Sequence, residues 1–101
     1  MALELLQRDY YLYQYQVIEA LGVVGDKQAT ETLIKCLKHD EWPVRSVTAR
    51  ALGKLGDQRA VDPLIKCAAS DENGSVRIDA VKALQQLGYS IVGDAAVGEG
   101  Q

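Results

Sequence analysis

An internal repeat constrains this chain more than any other feature of its sequence. Residues 19–38 read EALGVVGDKQATETLIKCLK and return as residues 50–69, RALGKLGDQRAVDPLIKCAA, at an offset of 31 residues (Ala20 to Ala51). Ala-Leu-Gly falls on Ala-Leu-Gly, Gly-Asp on Gly-Asp and Leu-Ile-Lys-Cys on Leu-Ile-Lys-Cys. A fixed period of this length marks a solenoid, in which each helical unit buries its apolar side against its neighbours. Carried backwards, the offset places Asp9 on Asp40 and Tyr11 on Trp42. Carried forwards, it places Val76-Arg77 on Val44-Arg45, with one residue inserted in the loop 71–75.

The expected order is therefore a half repeat over 1–9, a repeat over 10–40, a repeat over 41–72 and a half repeat over 73–88. Residues 89–101 are expected to form a degenerate C-terminal cap and flexible tail, because Gly93 and Gly98 weaken a helix there. Within the middle repeat, Val44, Val47, Ala51, Leu52 and Leu55 follow the 3.6-residue period and predict a first helix, A, over about 44–55. Pro43 suits the first turn of that helix, and Gly56 suits its left-handed C-terminal position. Asp57 is placed to cap the second helix, B, over about 58–69, and Gly25 and Asp26 repeat the same device. The pattern predicts helices throughout, and a β-sheet anywhere would count against it.

Composition narrows the function. The formal net charge is −3, which argues against general binding to nucleic acid or anionic membranes. No apolar run approaches the roughly 20 residues of a membrane span, and MALELLQRDYY lacks a secretory core, so a cytoplasmic protein is expected. Cys36 and Cys67 occupy equivalent repeat positions on apolar stripes, too far apart for a disulfide if they sit on neighbouring helices. Two Cys and one His fall short of a structural zinc site, and no metal or other cofactor is expected.

With ALGKLGDQRAVDPLIKC and Val44-Arg45 in view, the chain resembles the HEAT-like repeats of the phycobilisome lyase type over about residues 2–88. The resemblance implies an all-α, right-handed α-solenoid of HEAT-like helical hairpins. Such repeats occur in bilin lyase subunits, a di-iron protein hydroxylase, DNA-repair glycosylases and many adaptor domains. The hydroxylase would imply several His-Glu pairs, whereas His39 is the single histidine and precedes Asp40. The glycosylase would imply a basic groove, which the acidic sum opposes. What the resemblance implies for function is a non-catalytic protein-protein interaction scaffold. The alternative it implies is a subunit or fragment of a bilin (phycobilin) lyase or of a tetrapyrrole-handling protein, with a bilin as ligand.

Two features point to where a partner would bind. Tyr10, Tyr11 and Trp42 belong to the connections from B to A helices, with Asp40 and Glu41 beside them, and Tyr15 is repeat-equivalent to Ser46 and expected to be exposed. Exposed Tyr and Trp are favoured interface anchors, because they bury much area at little entropy. The open ends of a solenoid supply the second feature. Leu3, Leu5 and Leu6 at one end are expected to lack cover, and Leu84 and Leu87 at the other to have only the weak 91–97 tail, which implies homo-oligomerisation through an end or a tight partner docked there.

Overall fold

A computed structural model describes residues 14–92 and 95–98. Residues 14–24 are helical (α1). They are followed by a 3-10 turn, Lys27–Ala29, that runs into α2, Thr30–Cys36. Helix α3 is Trp42–Leu55, and a second 3-10 turn, Gln58–Ala60, leads into α4, Val61–Ser70. Helix α5 is Gly74–Gln86. The A helices of successive repeats are thus α1, α3 and α5, and the B helices are α2 and α4. No helix among the described residues is long and apolar enough to cross a membrane.

Each A helix ends at a glycine of positive φ: Gly25 at 76°, Gly56 at 77° and Gly88 at 94°. The left-handed conformation releases the last carbonyls to bonds such as Gly56 N–H to Leu52 O at 3.3 Å. The residue after the first two glycines is aspartate. Asp26 accepts from Gln28 N–H at 2.9 Å, and Asp57 accepts from Arg59 N–H at 3.0 Å. Each carboxylate satisfies an orphan amide where a B helix begins. The B helices open as tight 3-10 turns instead of the continuous helix expected from residue 58, and α3 begins two residues earlier than expected, at Trp42.

The core runs between the layers. α3 packs along α5, while α2 and α4 pack on the A helices that follow them. Leu33, Val44, Val47, Leu52, Leu64, Val76 and Leu84 are fully buried there. The A helices approach closely where one carries glycine. A Cβ built on Gly22 would lie 2.8 Å from Ala51 Cα, and one built on Gly53 would lie 2.8 Å from Ala83 Cα. The repeated Ala-Leu-Gly is therefore a packing device, the glycine of one A helix receiving the alanine of the next.

The C-terminal segment departs from the all-α expectation. Tyr89–Val92 (β1) and Ala95–Gly98 (β2) pair antiparallel, Tyr89 opposite Gly98 and Val92 opposite Ala95. The physical reason lies in one position. After Gly88 the chain carries Tyr89 where the earlier repeats carry the capping Asp26 and Asp57, so no side chain starts a third B helix. Tyr, Ile and Val then favour the extended state. Half-buried Tyr89 packs on the core. Leu84 and Leu87, expected to be only weakly covered, are buried. Leu3, Leu5 and Leu6 lie outside the described residues.

Candidate functional site

The exposed large apolar side chains include Trp42 at the start of α3 and Ile78 on α5, 46% and 57% exposed. Together with Tyr15 on α1 they border an open groove of about 430 Å³ that crosses the A helices. Pro43, Ser46, Arg50, Ser75 and Asp79 complete its lining. Register explains the convergence, because Tyr15, Ser46 and Ile78 are equivalent positions in three successive A helices and line up when the helices stack.

Polar contacts join side chains that line the groove. Arg50 Nη2 donates to Tyr15 Oη at 2.5 Å, and the guanidinium carbon stands 5.9 Å from the centre of the Tyr15 ring. Cation and ring attract through the ring quadrupole at that range. Ser46 Oγ donates to Asp79 Oδ2, joining α3 to α5. Tyr15 is accordingly half-buried and packed on the core, not exposed as its repeat position suggested. Of the expected binding residues, the structure brings Tyr15 and Trp42 together. Asp40 and Glu41 are exposed, and Asp40 lines a separate depression with His39, Arg45, Asp71 and Glu72. Tyr10 and Tyr11 lie outside the described residues.

That second depression covers a buried ion pair that sequence reasoning missed. Arg45 Nε donates to Asp71 Oδ2 at 3.0 Å and Nη2 to Oδ1 at 3.2 Å, while Nη1 reaches the carbonyls of His39 and Asp40 at 2.7 and 3.1 Å. One guanidinium thus ties the connection before α3 to the end of α4. The available signal was the recurrence of Val-Arg at 44–45 and 76–77. Arg77 donates to Asp71 O in its turn.

Asp57 forms a comparable node. Its Oδ2 accepts from Thr30 Oγ1 at 2.8 Å and from Arg59 Nε and Nη2 at 2.9 and 2.6 Å. The Arg59 hydrogen bonds, then that of Thr30, hold its carboxyl well below the usual carboxylate range. Arg59 also donates to Lys27 O at 3.0 Å and meets Glu31 at 3.4 Å, so this cap links two repeats.

A third groove lies between the B helices, lined by Ile34, Leu37, Pro63 and Cys67 with Lys38 and Lys66 at its border. Cys67 and Cys36 are free and half-buried, and burial pushes both thiols up from their ordinary pKa. A raised pKa reduces thiolate and hence nucleophilicity. Among the described residues no group of three or more His, Cys, Asp or Glu could hold a metal ion.

The family model of HEAT repeats matches residues 1–85. The chain belongs to the HEAT-repeat family. No curated protein matches it. HEAT repeats generally mediate protein-protein interaction. In this HEAT-repeat chain the recurrent residues hold the stack, while Trp42 and Ile78 stay half-exposed.

Proposed function

We propose that this HEAT-repeat chain is a non-catalytic scaffold that binds a protein partner on the face of its A helices. The observation that carries the reading is the half-exposed pair Trp42 and Ile78 beside a groove whose lining side chains are joined across helices by Arg50–Tyr15 and Ser46–Asp79. Large apolar side chains held on a rigid stack bind without an ordering cost in the backbone, which leaves more of the contact energy for affinity. The reading takes the hairpins to wind right-handed over residues 1–88, as the repeat type implies.

Affinity capture with the intact chain tests the reading. Partners captured by the parent protein should be lost with Trp42→Ala and Ile78→Ser, yet retained with Lys35→Glu on the exposed side of α2. Retention by all three variants, each folded by circular dichroism, refutes it.

The phycobilisome-lyase subtype carries the second reading, with a bilin as ligand. What favours it is the apolar groove lined by Cys67 between the B helices. Absorbance titration is decisive: a red shift saturating at one bilin per chain supports this reading, and an unchanged spectrum removes it.

A further inference from the structure

The A-helix groove continues into a second depression. Arg50 and Asp79 line both, and Lys54, Lys82, Ala83, Gln85 and Gln86 complete the second, of about 440 Å³. Its charge runs against that of the molecule. Arg50, Lys54 and Lys82 stand there opposite one carboxylate, Asp79, in a chain of formal net charge −3. Asp79 is already engaged by Ser46, and Glu19 shares a smaller cleft with Arg50 and Lys54. Arg50, Lys54 and Lys82 are exposed, with Arg50 also donating to Tyr15 Oη through Nη2, so the cluster faces solvent.

One continuous surface thus has an apolar end at Tyr15, Trp42 and Ile78 and a cationic end at Arg50, Lys54 and Lys82. We propose that it takes an acidic peptide segment of a partner protein, whose apolar anchors sit at Trp42 and Ile78 and whose carboxylates follow onto Arg50, Lys54 and Lys82. The proposal rests on the scaffold reading above and adds the chemistry of the partner. Rim charges of this kind set orientation and discriminate among partners more than they add affinity. Exposed pairs are screened by salt, so the selectivity is largest at low ionic strength.

Two fluorescein-labelled peptides test it on the intact chain. Both open on Leu-Leu-Tyr; one continues as a run of glutamates and the other as a run of lysines. At low salt, fluorescence anisotropy should show the glutamate peptide binding at least about tenfold tighter, a preference that shrinks at physiological salt. Lys54→Glu with Lys82→Glu should reverse the preference, and Lys54→Ala with Lys82→Ala should abolish it. Trp42→Ala should weaken both peptides alike.

Equal affinities, no binding of either peptide, or a preference that survives the charge reversal overturns the proposal. So does displacement of the glutamate peptide by a single-stranded oligonucleotide, which would assign the cations to nucleic acid. If the charge variants still capture the protein partner while Trp42→Ala does not, the scaffold reading stands and the acidic-segment inference alone falls.

Discussion

Substituting Gly53 by alanine sets two effects of opposite sign against each other. In a helix interior, alanine is favoured over glycine by about 1 kcal/mol, so propensity alone makes the variant more stable. The structure opposes that gain. The new Cβ would lie 2.8 Å from Ala83 Cα and 3.0 Å from Ala83 Cβ. Carbon atoms rest at about 3.5–4.0 Å, so α3 and α5 must separate by roughly 0.7 Å along a buried seam. Gln86, whose side chain also meets the new atom, can swing aside; the α5 backbone cannot. Overpacking of this kind costs about 1–3 kcal/mol, and a clash with backbone belongs in the upper part of that range. The expected net loss is about 1–2 kcal/mol. Since 1 kcal/mol moves the melting temperature of a domain this size by about 4–8 °C, thermal and urea unfolding resolve it readily. Gly74, in the first turn of α5, supplies the control. Its built Cβ meets only Arg77 Nη2, at 3.4 Å, so Gly74→Ala should be neutral or slightly stabilising. The double variant Gly53→Ala with Ala83→Gly should recover part of the loss, a coupling expected of residues in contact. Gly53→Ala as stable as the parent, with an unchanged urea slope, would refute the close-packing account.

Two further outcomes concern the nodes between repeats and a third the half-buried thiols. Arg45→Ala should cost about 3–5 kcal/mol, because it strands the buried Asp71 carboxylate; Arg45→Lys should recover only part of this in urea unfolding, since an ammonium cannot bind Asp71 through two parallel bonds. Asp57 has its carboxyl pKa lowered in the fold, so its contribution is present above the unfolded value near about 3.9 and is lost as pH falls below it. A pH series of melts should therefore show a stability drop below about pH 4 that Asp57→Asn flattens, and an identical acid limb in both proteins would count against the Arg59 and Thr30 bonds. Native Cys36 and Cys67 should react with a thiol reagent at least about tenfold more slowly than in denaturant, because burial both shields the thiols and raises their pKa; equal rates would put both cysteines in solvent.

Much of the architecture was legible because local rules and the period agree. The positions of α3, α4 and α5 follow from the spacing of Val44, Val47, Leu52 and their copies, and the turns follow from Gly-Asp at 25–26 and 56–57. The C-terminal hairpin lies outside what the repeat period predicts, and its signal is local. Two short runs, Tyr89–Val92 and Ala95–Val97, flank a Gly-Asp pair, a strong short-range hairpin signal. The absence of aspartate after Gly88 reinforces it.

The candidate site was half legible. Trp42 stands out as the lone tryptophan at a helix start, and an aromatic there is a sound anchor by residue type alone. Its neighbours were not readable. Arg50 meets Tyr15 from 35 residues away, Ser46 meets Asp79 from 33, Arg45 meets Asp71 from 26 and Thr30 meets Asp57 from 27. The period dictates which positions are equivalent, and composition dictates the sign of the total charge. Which side chains touch depends on how far each A helix slides and rotates against the next. That is decided where Gly22 and Gly53 let Ala51 and Ala83 come close, so the groove, its cationic end and the buried ion pair belong to the stacked structure alone.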